Sequence, residues 1–253
     1  MSDDLTQRNA WADLRKLTAA RIGLARSGAS LSTAPLLQFA LAHAQARDAV
    51  HETLNEDRLA ANLGALDLPV LKVASAITDR AQYLMRPDLG RQLGDGADAV
   101  LAPHGGSYDV TLIVADGLSA RAVQAHAAPV LCDVLAALHR EDWRVAPLVI
   151  ARHGRVAIGD AIAARLGASA VVVLIGERPG LSSPDSMGAY LTWQPQPATT
   201  DADRNCVSNI RPDGIGYADA AFKIVALLQA MRTRRLSGVL LKDESDRLMV
   251  EQK

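Results

Sequence analysis

Short apolar runs recur along the second half of the chain and predict the strands of a buried sheet. Residues 171–175 (VVVLI) are apolar at odd and even positions alike, and residues 111–115 (TLIVA) follow nearly the same pattern. Such a run is too short for a helix and is typical of a strand that is covered on both faces of a parallel sheet. Residues 144–150 and 189–193 predict two more strands. Since Pro147 lies within the former, we expect that strand to be at an edge or bulged.

Longer segments with helical spacing separate these runs. Residues 120–140 predict a long helix, a second helix is capped by Asp160 and ends at Gly167, and residues 218–233 carry apolar positions along one face. An alternation of strand and helix predicts right-handed crossovers and a mostly parallel sheet. The predicted fold class is therefore α/β: a Rossmann-like, mostly parallel sheet with helices on both faces, preceded by a smaller helical region.

The first part of the chain has a different pattern. Apolar positions predict a short amphipathic helix over residues 11–22 and a longer helix over residues 33–54. Residues 78–91 then place arginines and aspartates between single apolar residues, a composition commoner in a contact surface than in a core. We therefore expect a helical N-terminal region with a partner-contact segment over residues 1–98, followed by a ligand-binding domain over residues 99–253.

Three polar loops follow predicted strands. They are residues 116–119 (DGLS), 152–156 (RHGRV) and 177–181 (ERPGL). Parallel strands bring these loops to one edge of the sheet, where open α/β sheets bind their ligands. An ordinary turn with a surface salt bridge is the alternative interpretation of residues 177–181. Residues 199–217, which include Cys206, are predicted to form a further polar loop.

Composition narrows the class of protein. The 253 residues are 49% hydrophobic and 22% charged, which is enough apolar content for one sizeable core. A net charge of −1 supplies no basic field for nucleic acid. The two cysteines form no CxxC motif or metal-ligand spacing, which excludes a structural zinc motif and favours a reducing compartment. No apolar run approaches the roughly 20 residues of a membrane span, and the polar amino terminus lacks a signal-peptide pattern.

Familiar catalytic and nucleotide-binding motifs do not occur in the right context. The glycine series at Gly94 and Gly96 follows a charged segment and not a strand, so it does not indicate a dinucleotide site. The sequence contains no phosphate-binding loop, GxSxG or HExxH motif. Asp116 and His153 lie in edge loops and are the candidate catalytic groups of a stand-alone Rossmann-like nucleotide-binding enzyme or module. A loop histidine that only makes hydrogen bonds is the alternative for His153.

Six blocks occur in order over nearly the whole chain and together resemble the small (light) subunit family of ethanolamine ammonia-lyases. The blocks are LRKLTAARIGLARSG, DRAQYLMRPDLGRQL, VADGLSA, RHGRVAIGD, VLIGERPGL and DADRNCVSNI. The resemblance implies an adenosylcobalamin enzyme of large and small subunits, in which a TIM barrel in the large subunit holds ethanolamine and the small subunit covers the corrinoid. It implies radical conversion of ethanolamine to acetaldehyde and ammonia, and an isolated small subunit that is inactive.

The same blocks imply three cobalamin contacts in this chain: Val156 in HGRV, Glu177 in GERPG and Cys206 in DRNC. These residues are expected to hold the corrin amides and the nucleotide tail, and no residue of this chain is expected to be catalytic or to bind metal. The sequence also lacks the DxHxxG motif by which some corrinoid proteins supply a histidine to cobalt. This absence fits a cobalamin that keeps its own benzimidazole on cobalt.

The resemblance also implies a partner and a location. The expected partner is the large subunit, in a hetero-oligomer that involves neither nucleic acid nor membrane. The candidate surfaces for this partner are residues 78–91 and the amino-terminal helices. We expect a bacterial cytoplasmic protein. Location in a bacterial microcompartment is the alternative, but the absence of the family's packaging-associated amino-terminal extension from a match that begins almost at Trp11 argues against it. A scaffold without any ligand contact is the third hypothesis, beside the lyase subunit and the nucleotide-binding enzyme.

Overall fold

The computed structural model describes residues 11–245 except residues 12, 19 and 25. Its first elements are β1 (Arg26–Ser27), β2 (Ser30–Leu31), α1 (Thr33–His51) and α2 (Glu56–Gly64). The next elements are β3 (Val70–Ala74), α3 (Arg80–Met85), α4 (Ala97–Leu101), β4 (Tyr108–Ala115) and α5 (Ala120–Arg140). The last are β5 (Leu148–Arg152), α6 (Ile158–Leu166), β6 (Ala168–Gly176), β7 (Met187–Trp193), β8 (Asn205–Ile210) and α7 (Tyr217–Arg234).

Six of the strands form one mixed sheet in the order β3, β5, β4, β6, β7, β8. The first four strands of this order are parallel to one another, β7 pairs antiparallel with β6, and β8 pairs antiparallel with β7 and so runs in the same direction as the first four. Val114 on β4 is in register with Ile150 on β5 and Leu174 on β6. The predicted α/β class with a mostly parallel sheet is therefore confirmed. β3 belongs to this sheet although it precedes residue 98, and the division of the chain at that residue stays a prediction.

Helices cover both faces of the sheet. Leu112 and Val114 on β4 pack into a cluster with residues of α2, α5 and α7. Ile113 and Ala115 on the same strand pack on the opposite face with residues of α4 and α6. All four side chains are completely buried. The continuous apolar run of β4 thus marks a strand that is buried on both faces, as in other parallel sheets.

α5 fills most of one of these faces. Among the described residues it is the one helix that is long and apolar enough to cross a membrane by length and composition. Its apolar side, however, packs on the sheet and on α7. Its apolar character is therefore explained by its place in the core.

One prediction about strands was wrong in part, and another was wrong. The strand with Pro147 was predicted to be at an edge or bulged: it is not at an edge, because β5 lies between β3 and β4, but its register against β4 shifts by one residue between the Val110–Val145 bridge and the Ile113–Val149 pair. Pro147 stands just before the first residue of β5, a position where proline removes no ladder hydrogen bond from the strand. Residues 199–217 are not all loop, because β8 pairs with β7 along one side of the sheet. As an edge strand, β8 tolerates polar residues, while its Val207 and Ile210 are buried.

The predicted helix over residues 11–22 is also not formed in the described part of that segment. One 3-10 turn, Leu14–Lys16, is present, and Leu14 and Leu17 are 41% and 82% exposed. A short helix in water depends on burying an apolar face, and these leucines bury little. By contrast, α1 is present: it begins at Thr33, which was predicted as its cap, after the cap residue Ser32, and it ends at His51, three residues before the predicted end at residue 54.

α6 begins differently from its prediction. Ala157 and not Asp160 precedes the helix, and Asp160 lies in the first turn. Its carboxylate accepts hydrogen bonds from both terminal nitrogens of Arg204, at 2.7 and 2.6 Å. The Arg204 side chain is 3% exposed and also donates to Thr192 Oγ1 at 2.9 Å. The predicted end of the helix at Gly167 is confirmed, and the buried ion pair joins α6 to the start of β8.

The close packing of α6 on the sheet yields a stability prediction. A Cβ atom on Gly159 would lie 2.5 Å from Val173 Cγ2 and 3.2 Å from Val171 Cγ2. Both valines are buried, so Gly159→Ala is expected to lower the free energy of unfolding by about 1–3 kcal/mol through overpacking. Gly64→Ala is the matched control, because a Cβ there meets nothing within 4 Å. It is expected to be neutral or to stabilise by up to about 1 kcal/mol. Urea unfolding measures both, and equal values for the two variants would contradict the prediction.

Candidate functional site

Loops from four parallel strands meet at the carboxyl edge of the sheet. Leu118 donates its backbone N–H to the carbonyl of Gly176 at 2.9 Å, which joins the loops after β4 and β6. Ser75 Oγ donates to the carbonyl of His153 at 2.8 Å, which joins the loops after β3 and β5. The predicted convergence of the three polar loops at one edge is therefore confirmed, and the loop after β3 adds a fourth.

An open cleft of about 420 Å³, here called the edge cleft, lies between these loops. Val156 and Glu177, two of the three predicted contact residues, both line it. Cys206 is not among the lining residues, but its partner across the β7–β8 ladder, Tyr190, is. The complete lining is Tyr83, Gly117, Leu118, Arg155, Val156, Ile175, Gly176, Glu177, Arg178, Tyr190 and Ser208. The fold thus gathers residues that are up to 125 positions apart, from Tyr83 to Ser208, around one opening.

Glu177 is held in place by hydrogen bonds from three donors. Ser186 Oγ and Ser208 Oγ each donate to its carboxylate at 2.5 Å, and the backbone N–H of Asn209 donates at 3.2 Å. The side chain is half-buried. Because most of its acceptor positions are occupied, the carboxylate fixes the loop after β6 to β8.

Cys206 is an exposed residue on β8, opposite Tyr190. Partial desolvation raises the pKa of its thiol, a hydrogen bond with Tyr190 opposes this, and the nearby Glu177 charge raises it further. Desolvation likewise raises the pKa of the Tyr190 hydroxyl. A thiol with a raised pKa is neutral at physiological pH, so Cys206 has the properties of a packing residue and not of a nucleophile.

Asp116 and His153 lie behind the cleft and do not line it. Asp116 is 2% exposed, with Arg80 Nη1 3.8 Å from its carboxylate. Burial raises its pKa to about 6, against the opposing effects of Arg80 and of the backbone N–H groups of His153 and Gly154. Burial also lowers the pKa of His153, whose Nδ1 has no hydrogen-bond partner among the described residues. The Asp116 carboxyl is therefore inside the protein, whereas the His153 ring is half-buried with its Nδ1 atom shielded from solvent.

Tyr83 forms the floor of the site between two guanidinium groups. The Cζ atoms of Arg80 and Arg155 lie 4.7 and 4.0 Å from the centre of its ring, and the Tyr83 side chain is completely buried. Arg80 also donates to the carbonyls of Val50 and Gly117, each at 2.7 Å. From sequence, Arg80 and Tyr83 were predicted to lie in a contact segment, and their role at the floor of the site was not predicted. The spacing of three between them within one helix was the available signal, since such residues share a helix face.

The other half of the segment at residues 78–91 has a different environment. Leu84 and Met85 are 38% and 72% exposed. Arg86 is exposed as well and forms a bidentate pair with Asp88 at 2.9 and 2.6 Å. The segment therefore divides into a buried part that supports the cleft and an exposed part. Its contact with a partner stays a prediction for the exposed part.

Comparison with known proteins gives consistent matches over the whole described fold. The family model of the ethanolamine ammonia-lyase light chain matches residues 8–242. An ethanolamine ammonia-lyase small subunit from Ralstonia nicotianae is 50% identical over 248 residues, which cover 96% of this chain and 92% of that protein. One from Xanthomonas campestris pv. campestris is 53% identical over 95% of this chain and 90% of its own. One from Rhodopseudomonas palustris is 54% identical over 92% of this chain and 90% of its own.

The buried carboxyl of Asp116 yields a prediction about pH. Its pKa is raised from 3.8 to about 6, so the folded protein binds this proton more tightly than the unfolded chain does. The wild type should lose stability as the pH rises through this window, by up to about 3 kcal/mol above it. Asp116→Asn removes the titration, so the stability of this variant relative to wild type should increase from pH 4 to pH 8 in urea unfolding.

The control for this measurement is a carboxyl group whose pKa is shifted in the opposite direction. Arg86 lowers the pKa of the exposed Asp88, so Asp88→Asn should cost stability above pH 4 and less below it. Parallel stability curves for wild type and Asp116→Asn would show that Asp116 ionises as in the unfolded chain.

Proposed function

The chain belongs to the ethanolamine ammonia-lyase light chain family, and on this premise we propose that it holds adenosylcobalamin over the active site of a large subunit. The observation that carries the proposal is the edge cleft. Val156 and Glu177, which the family motifs imply as cobalamin contacts, lie in different loops and line the same opening. Cys206 stands beside the opening through its contact with Tyr190.

The chemistry of the edge cleft suits the edge of a corrin ring. Cobalamin presents amide groups, which both donate and accept hydrogen bonds, around an apolar ring. The cleft offers apolar side chains, of which Val156 is one, beside the hydroxyls of Tyr190 and Ser208 and the carboxylate of Glu177. Arg155 Nε is buried at this place and has no hydrogen-bond partner among the described residues. A cleft that is open to one side suits a chain that covers a cofactor held also by another subunit.

The residues of this chain bind and orient, and they do not carry out the reaction. Glu177 is fixed by three donors, and the raised pKa of the Cys206 thiol keeps this thiol neutral and a poor nucleophile. When bound, adenosylcobalamin supplies the radical chemistry by which ethanolamine is converted to acetaldehyde and ammonia. This chain shapes one wall of the cofactor site and keeps water from it, and the large subunit holds ethanolamine.

The rival hypothesis, a stand-alone nucleotide-binding enzyme, requires Asp116 and His153 to reach a substrate. Asp116 is 2% exposed, and Nδ1 of His153 is buried. The geometry therefore favours structural roles for both residues, in support of the loops after β4 and β5.

Glu177 gives a direct test of the cofactor site. Glu177→Ala is expected to raise the cobalamin concentration for half-maximal activity of the assembled enzyme about 10-fold to 100-fold. The reason is that charged hydrogen bonds worth roughly 1.5–3 kcal/mol each no longer fix the loop after β6. Glu244→Ala, which removes an exposed carboxylate on the C-terminal segment, is the control and should leave this concentration unchanged. If the cofactor requirement of Glu177→Ala equalled that of wild type, Glu177 would not belong to the site.

The division of labour between subunits has its own test. The purified chain is expected to show no deamination of ethanolamine with adenosylcobalamin, and activity should appear when the large subunit is added. Ammonia release measured with each subunit alone and with both together checks this. Turnover by the isolated chain would support the rival enzyme hypothesis instead.

A further inference from the structure

α1 carries large apolar side chains that the rest of the described chain leaves uncovered. Leu36, Leu37, Phe39 and Leu41 are 51%, 63%, 41% and 60% exposed. Ala49 is the only residue of α1 that the described structure buries. No Asp, Glu, Lys or Arg occurs from residue 33 to residue 46. A contiguous apolar surface of this kind on a globular protein marks a place of interaction.

The spacing of these residues places them in two adjacent pairs on the helix. Leu37 and Leu41 are four residues apart and therefore adjacent on the helix, and Leu36 and Phe39 are three apart on the neighbouring side. We refer to these four residues as the α1 face. It presents branched and aromatic side chains without a charged residue among them, a composition typical of the centre of an interface and not of its rim.

The α1 face is tied to the edge cleft at its amino-terminal side. The guanidinium of Arg21 lies 6.0 Å from the ring centre of Phe39. The same guanidinium donates from Nη2 to the carbonyl of Leu181 at 3.2 Å. Leu181 belongs to the loop that begins with Glu177, so one arginine joins the α1 face to a loop that lines the cleft.

The carboxyl end of α1 is tied to a second loop of the cleft. Arg80 Nε donates to the carbonyl of Val50 in the last turn of α1, at 2.7 Å. Arg80 Nη1 donates to the carbonyl of Gly117, which lines the cleft, also at 2.7 Å. The Arg80 side chain is 12% exposed, so this connection is inside the protein. α1 is thus attached at both ends to the edge that carries the candidate cofactor site.

We propose that the α1 face is the docking surface for the large subunit. This inference rests on the proposed function, in which the large subunit closes the edge cleft. A body seated over that cleft extends onto α1, because Arg21 and Arg80 hold the helix against two of the cleft loops. The interface would then bury the four apolar residues together with the edge cleft. This explains why α1 is left uncovered in the single chain.

The test uses the full chain and the purified large subunit. Leu37→Gln with Leu41→Gln removes two exposed leucines and replaces them with a residue of similar helix propensity. The double variant is expected to raise the dissociation constant for the large subunit at least tenfold in sedimentation velocity, because apolar surface that leaves water on docking is lost. Its thermal midpoint as an isolated chain should equal that of wild type.

The matched control is Val239→Gln with Leu240→Gln. These residues are 77% and 76% exposed in the 3-10 turn Gly238–Leu240, and this change removes similar exposed apolar area away from α1. Affinity for the large subunit should stay at the wild-type value. An equal loss of affinity in both double variants would mean that apolar area in general, and not the α1 face, controls assembly.

Four further outcomes would overturn the inference. If wild type and the α1 double variant bind the large subunit equally, docking takes place elsewhere and the proposed function is unaffected. If the double variant changes only the self-association of the isolated chain, a second copy of the chain occupies the α1 face. If the double variant lowers the thermal midpoint of the isolated chain, the chain itself covers the α1 face. If wild type does not bind the large subunit at all, the proposed function fails as well.

Discussion

The close approach of the loops after β4 and β6 sets the shape of the edge cleft. Gly117 has a φ of 58°, and a Cβ atom at this position would overlap the carbonyl oxygen of Gly176. A Cβ atom on Gly176 would in turn overlap the backbone of Asp116 and Ser119. Only glycine combines this backbone conformation with such a short separation. Any side chain at either position would force the two loops apart and move Glu177 away from Val156.

Buried charges support this arrangement from below. Arg80 and Arg155 enclose the ring of Tyr83, and Arg204 pairs with Asp160 inside the protein. A buried charge is tolerated only when its partners are correctly placed, so each of these groups favours one arrangement of the loops over others. The edge cleft is therefore built on a rigid base, which suits the proposed role in positioning a ligand.

The parts that could be predicted from sequence are those with a local signal. The apolar runs of β4 and β6 predicted strands buried on both faces, and parallel order then placed the loops with Val156 and Glu177 at one edge. β8 was not predicted because only two of its residues, Val207 and Ile210, are buried and apolar. The polar residues between and before them resemble those of a loop. The site floor was missed because it depends on tertiary contacts: Ser208 is 31 residues from the carboxylate that it fixes, and Arg80 is 37 residues from Gly117.

The change of direction between β6 and β7 has a consequence for how this family diversifies. Because β7 returns antiparallel beside β6, residues 177–186 form a hairpin connection and not a crossover through a helix. Such a connection can change in length without moving a crossover helix, because no helix lies between β6 and β7. The loop that forms one side of the edge cleft can therefore change while the parallel strands and the helices between them stay the same.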